Sequence, residues 1–123
     1  MSKKKRDDRI TLAGIKLFPR IGVTPEERSD PQQCKADLTI EDNFEGAAAQ
    51  DSLDSSIDYS AVLDAVRKTA HAGEFSLLET LAYRIVRLVL QEFPVKRASI
   101  KIRKRPAGLV DQIDYVEVEV EES

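Results

Sequence analysis

Four side chains in this 123-residue chain stand where folding alone does not ask for them: Glu27, Tyr59, Glu79 and Lys104. Lys104 continues the inward side of the alternating run Ala98, Ile100, Ile102. An ammonium there needs a cleft or a counter-charge, unless the strand stops at Arg103 and Lys104 turns to water. Glu27 lies in a proline-bounded loop that either folds over the sheet edge or stays a solvated acid beside Glu26 and Arg28. Tyr59 sits where a connection enters a helix, as a packing ring or as a hydroxyl seeking a partner. Glu79 follows Ser76 by three positions and opens an apolar run, the spacing of a capping box. Its carboxylate therefore closes the helix end or is offered to a ligand. Two carboxylates, an amine and a phenol suit proton transfer and the gripping of N–H donors. Cys34 and His71 are each alone in the chain, too few for a thiolate metal cluster, a zinc site or Ser-His-Asp chemistry. No metal and no cofactor is expected.

The elements that must position these groups follow from patterning. Residues 10–18 are β-rich, with Gly14 marking a bulge or bend. The residues from Gly22 to Pro31 read as a polar connection. In the next strand Cys34, Ala36, Leu38 and Ile40 form a buried face and Lys35, Asp37, Thr39 and Glu41 a wet one. Cys34 then reads as a packed thiol. Residues 45–56 read as a surface connection, with a helical turn at Ala47–Ala49. Asp58 or Ser60 caps a helix over about 61–70, with Val62, Ala65, Val66 and Thr69 on one face and Gly73 ending it. The Ser76 helix carries Leu77, Leu78, Leu81, Ile85, Leu88 and Val89 as its core stripe and stops before Pro94. Two strands close the chain, the second alternating from Tyr115 to Glu121 with valines inward and glutamates outward. The expected fold class is α+β: a four-stranded antiparallel sheet made of two hairpins, with two helices on one face.

The chain is expected to be a loose tail over residues 1–8 and a single domain over 9–123. The basic run Lys3-Lys4-Lys5-Arg6 falls in that tail. A net charge of −3 argues against nucleic acid as the main partner. No apolar run approaches the ~18–20 residues of a membrane span, and no signal-peptide segment opens the chain, so a cytoplasmic protein is expected.

Taken together, five segments resemble the dihydroneopterin aldolase family of folate biosynthesis, which has the tunnelling fold (T-fold). They are Asp8-Arg9-Ile10-Thr11-Leu12-Ala13-Gly14, Gly22 to Arg28 with its Glu27, Gln32 with Ala36-Asp37-Leu38, Ile57-Asp58-Tyr59, and Phe75 to Ala82. The resemblance spans about residues 8–120. A sixth segment departs from the family pattern Lys-Pro-x-Ala-Pro: here it is Lys104-Arg105-Pro106-Ala107-Gly108-Leu109. Matching Ala107, Leu109, Asp114 and Val116 without a gap places Lys104 at the catalytic position, whereas matching the prolines would place Arg105 there.

The resemblance implies an enzyme, a metal-free lyase that needs no Schiff base. It would split 7,8-dihydroneopterin into 6-hydroxymethyl-7,8-dihydropterin and glycolaldehyde. Lys104, Tyr59 and Glu27 would be catalytic; Glu79, Leu78, Ile57 and Ser76 would bind the pterin. It also implies β-barrel rings of four subunits stacked into octamers, with Tyr59 reaching the site from a neighbouring subunit. Three alternatives stand beside it: an epimerase of dihydroneopterin or its triphosphate, a non-catalytic pterin- or purine-binding protein of the same fold, and an interaction module using its sheet edges.

Overall fold

The computed structural model describes residues 7–123. In chain order the elements are β1 (Asp8–Leu17), β2 (Arg20–Ile21), α1 (Pro25–Arg28), β3 (Cys34–Asp42), α2 (Glu45–Gln50), α3 (Tyr59–His71), β4 (Glu74–Phe75), α4 (Leu78–Glu92), β5 (Arg97–Lys104) and β6 (Val116–Glu122), with one 3-10 turn at Leu53–Ser55. The Lys3–Arg6 run lies outside the described residues. Asp8 pairs with Asp42 in the sheet, and the Asp7 carboxylate lies 3.1 Å from the Lys96 ammonium.

The four long strands form an antiparallel sheet in the order β1-β3-β5-β6, two hairpins joined through their second and first strands. The Gly14 bulge reconciles two halves of β1 whose inward positions have opposite parity. One extra residue is inserted between the Leu12–Leu38 and Ile15–Ala36 pairs, Gly14 takes φ 67°, and its N–H donates to Asp37 at 2.7 Å. Ile10 and Leu12 face inward before it, Ile15 and Leu17 after it.

Helices α3 and α4 cover the apolar face of this sheet, α3 against β1 and α4 across β5 and β6. Asp58 caps α3, its carboxylate accepting from the Ser60 and Ala61 amides. The buried stripe of α4 is Leu78, Leu81, Ala82, Ile85, Val86 and Val89. Ala82 and Val86 thus replace two leucines of the expected stripe: Leu77 is exposed ahead of the helix and Leu88 is half-buried. In β6 only Val120 is buried and Val116 is exposed, because β6 is an edge strand whose start nothing among the described residues covers.

Two features escape sequence patterning. The connection after β1 is structured, containing β2 and the single helical turn α1. Strands β2 and β4 pair in parallel, Arg20 opposite Glu74 and Ile21 opposite Phe75, as a second small sheet. No helix among the described residues is long and apolar enough to cross a membrane.

Candidate active site

The small β2–β4 sheet joins segments about 50 residues apart in the chain, and the site is built on that junction. Directly after β2, the Gly22 N–H donates to the Phe75 carbonyl at 3.0 Å. Arg28 holds the same seam, donating to the Gly22 carbonyl at 2.8 Å and lying 3.7 Å from the Glu74 carboxylate. Gln32 pins the loop from below. Its side-chain amide donates to the carbonyls of Ile21 and Glu27, the latter at 2.7 Å, and its backbone N–H to that of Pro19. Gly22, at φ 156°, lets Glu27 lie directly over the backbone; a Cβ there would collide with the Glu27 Cβ and sit 3.0 Å from its Cδ.

Within this frame Thr24 and Glu27 form a capping box around α1. The Thr24 hydroxyl accepts from the Glu27 N–H at 3.2 Å, and Glu27 Oε1 accepts from the Thr24 N–H and hydroxyl at 3.3 and 3.2 Å. The pattern Thr24-Pro25-Glu26-Glu27, with proline at the first helical position, is a signal that locates this turn in the sequence. Closing the box with one oxygen aims the other: Glu27 Oε2 lies 4.0 Å from Lys104 Nζ. Lys104 ends β5 opposite Cys34, on the helix-facing side of the sheet, with a side chain only 13% exposed. An ammonium this covered needs its counter-charge, and Glu27 is the carboxylate within reach. Burial pushes the neighbouring Cys34 thiol up to about 11, and the Lys104 charge offsets part of that rise. Cys34 is a packed thiol, not a nucleophile.

The start of α4 departs from expectation. Ser76 precedes the helix without capping it: the helix begins at Leu78, the cap position is Leu77, and no side chain accepts from the first-turn amides. Glu79 therefore does not close a capping box. It is exposed, and its carboxylate has no hydrogen bond or ion pair with any described residue. The reason lies upstream, where pairing of Phe75 with Ile21 holds the chain extended through Leu77. The result is a free carboxylate beside unmet N–H donors, a combination suited to a planar ligand bearing both donors and an acceptor on one edge.

Ile57 is buried just ahead of the Asp58 cap, and Leu78 is buried under the turn that carries Glu79. Tyr59 is 62% exposed at the start of α3, and no hydrogen bond joins it to Glu27 or Lys104. Beyond Lys104 opens a hollow of about 860 Å³, lined among others by Gln32, Lys35, Arg105 and Tyr115.

The four-stranded antiparallel sheet with two helices on one face has the tunnelling-fold architecture of the solved structures it superposes on. A family model described as dihydroneopterin aldolase matches residues 10–121. A dihydroneopterin aldolase of Streptomyces coelicolor is 31% identical over 113 residues, 92% of this chain and 95% of that one. That of Bacillus subtilis is 29% identical over 114 residues, again 92% and 95%. The solved structure of the Escherichia coli enzyme, in complex with neopterin, superposes with a TM-score of 0.87 at 23% identity, covering 94% of this chain and 99% of that one. The chain belongs to the dihydroneopterin aldolase family.

Proposed function

We propose that the protein is a dihydroneopterin aldolase: it cleaves the C1′–C2′ bond of 7,8-dihydroneopterin, releasing glycolaldehyde and 6-hydroxymethyl-7,8-dihydropterin. The observation that carries this reading is the Glu27–Lys104 pair, held through the β2–β4 seam to the uncapped turn bearing Glu79. Glu79 accepts the ring N–H and 2-amino donors in a bidentate contact. Backbone groups at Leu78 and near Ile57 hold the other ring edge, with Ser76 bordering the ring. As the bond breaks, the 2′-hydroxyl loses its proton and becomes the aldehyde oxygen, and the bonding pair passes into the ring as an enamine. A proton then goes to C1′. Lys104, Glu27 and water manage protons at the ring and side chain, and Tyr59 acts as the general acid and base.

In this reading Tyr59 comes from a second copy. Support comes from the exposure of Tyr59, which makes no hydrogen bond to the acid–amine pair, from the two edge strands β1 and β6, and from the exposed Val110, Ile113, Tyr115 and Val116 leading into β6. Rings of four, stacked into octamers, would satisfy those edges. Mixing Tyr59→Phe with Lys104→Ala subunits then restores about a quarter of the sites; no recovery, or a monomer by light scattering, overturns the shared site.

The deciding experiment is turnover of 7,8-dihydroneopterin with glycolaldehyde release, lost in Lys104→Ala. Binding of neopterin without turnover refutes the aldolase.

A further inference from the structure

The chain's only histidine takes no part in the site described above, yet it holds the chain where that site's frame begins. Strand β1 leaves the main sheet at Leu17, which pairs with Cys34, itself the partner of Lys104. Leu17, Cys34 and Lys104 thus form one cross-strand row, and Phe18 is the first residue beyond it. Pro19 follows, which disfavours a helical turn at Phe18 and brings no N–H to extend the ladder. The Phe18 N–H leaves the sheet with no strand to accept it. It donates instead to Nε2 of His71, at 3.1 Å.

His71 ends α3, a helix anchored by the fully buried Val62, Val66 and Ala70. Three residues later the chain enters β4 at Glu74, and two residues after Phe18 it enters β2 at Arg20, the partner of Glu74. The His71–Phe18 bond is therefore a rung set ahead of the β2–β4 seam, between the same two segments. What it holds reaches Glu27. The Pro19 carbonyl accepts from the Gln32 N–H at 2.9 Å, the Arg20 side chain donates to the Ser29 carbonyl, and Gln32 grips the carbonyls of Ile21 and Glu27. The turn α1 is carried by residues 19–21, while Lys104 is carried by the main sheet. Phe18 is the joint between the two.

We infer that His71 is a positioning residue for the reaction: by holding the Phe18 amide it sets the angle at which β2 leaves the main sheet, and with it the approach of Glu27 to Lys104. The inference rests on the aldolase reading, because His71 acts through that pair. An accepting Nε2 carries no proton, so the imidazole is held as the Nδ1–H tautomer. Glu79 is placed differently, on α4, whose Leu78, Leu81 and Ala82 are buried in the core. Loss of the rung should therefore fall on kcat and spare the contact with the ring.

The test uses His71→Ala, which removes the acceptor, and His71→Gln, whose side-chain oxygen can accept the same N–H. Steady-state turnover of 7,8-dihydroneopterin is measured beside neopterin binding by fluorescence and hydrogen exchange of the Gly22 amide. In His71→Ala kcat is expected to fall about fivefold to tenfold, with neopterin affinity within about twofold of the wild type and Gly22 exchanging about fivefold faster. His71→Gln should keep kcat to within about twofold and restore the Gly22 protection. The untagged chain has one histidine, so its imidazole nitrogen NMR signals read the tautomer directly, with Nε2 unprotonated at about pH 8. His71 is exposed, so both variants are expected to fold, which circular dichroism checks. An unchanged kcat in His71→Ala, a loss that His71→Gln does not rescue, an equal loss of neopterin affinity, or a protonated Nε2 overturns the role. Wild-type protein that binds neopterin without turnover, with Gly22 protection lost in His71→Ala and regained in His71→Gln, overturns the aldolase reading while the rung stands.

Discussion

Thr24–Glu27 and Ser76–Glu79 share one spacing, a hydroxyl residue three positions ahead of a glutamate, yet only the first closes on itself. At Thr24 the box forms because Pro25 presets the first helical φ and Gly22 lets the Glu27 side chain fold over the backbone. Glu27 Oε1 is taken by the cap and Oε2 is left facing Lys104. At Ser76 the parallel pairing of β4 keeps the chain extended one residue too far, so Leu77 takes the cap position and Glu79 keeps both oxygens free. The same local motif thus yields an aimed carboxylate in one place and an unspent one in the other. Capping and ligand binding compete for oxygens only when both must use the same one.

Substitutions can break this contrast, and Glu79→Ala has the largest expected effect on ligand. It removes a bidentate charged contact and should weaken neopterin binding by about 100-fold or more, about 3 kcal/mol. Thermal unfolding should be almost unchanged, since the carboxylate holds nothing in the fold; a large drop in melting temperature would show a structural role instead. Gly22→Ala acts on the other turn. Its new Cβ overlaps Glu27, so a loss of about 2 kcal/mol in stability is expected, with a fall in kcat as Glu27 is displaced from Lys104. Denaturant unfolding and steady-state kinetics measure the two parts separately.

Thr24→Ala removes only the cap, at a cost of about 1 kcal/mol. The Glu27 carboxylate remains but loses its aim, so kcat should fall while neopterin affinity, set at Glu79, stays the same. Ser76→Ala should be the mildest for stability, within about 0.3 kcal/mol, because Ser76 caps nothing. A cost near that of Thr24→Ala would mean that the two turns are alike after all.

The long elements were legible because their signals are local. Alternation in β3 and β5, the bulge at Gly14, the Asp58 cap and the stop before Pro94 each depend on residues a few positions apart. The inward parity of Lys104 was equally readable. The α4 stripe was read in part, and its cap was misplaced by one residue because a hydroxyl three residues before an acid is satisfied in the sequence whether or not the backbone turns there. The helical turn α1 was hidden by its length, four residues carrying no apolar periodicity.

By itself, then, the sequence determined the sheet's faces, the helices that cover them and the residue types available for proton transfer. What only the tertiary structure decided was which glutamate is spent and which is free. That choice turns on the pairing of Ile21 with Phe75 and on Gln32 reaching the carbonyls of Ile21 and Glu27. The β2–β4 pairing joins residues more than fifty positions apart, and each strand is only two residues long. Two-residue strands have no period to read, and their hydrogen bonds form only once the sheet and helices have brought the two segments together.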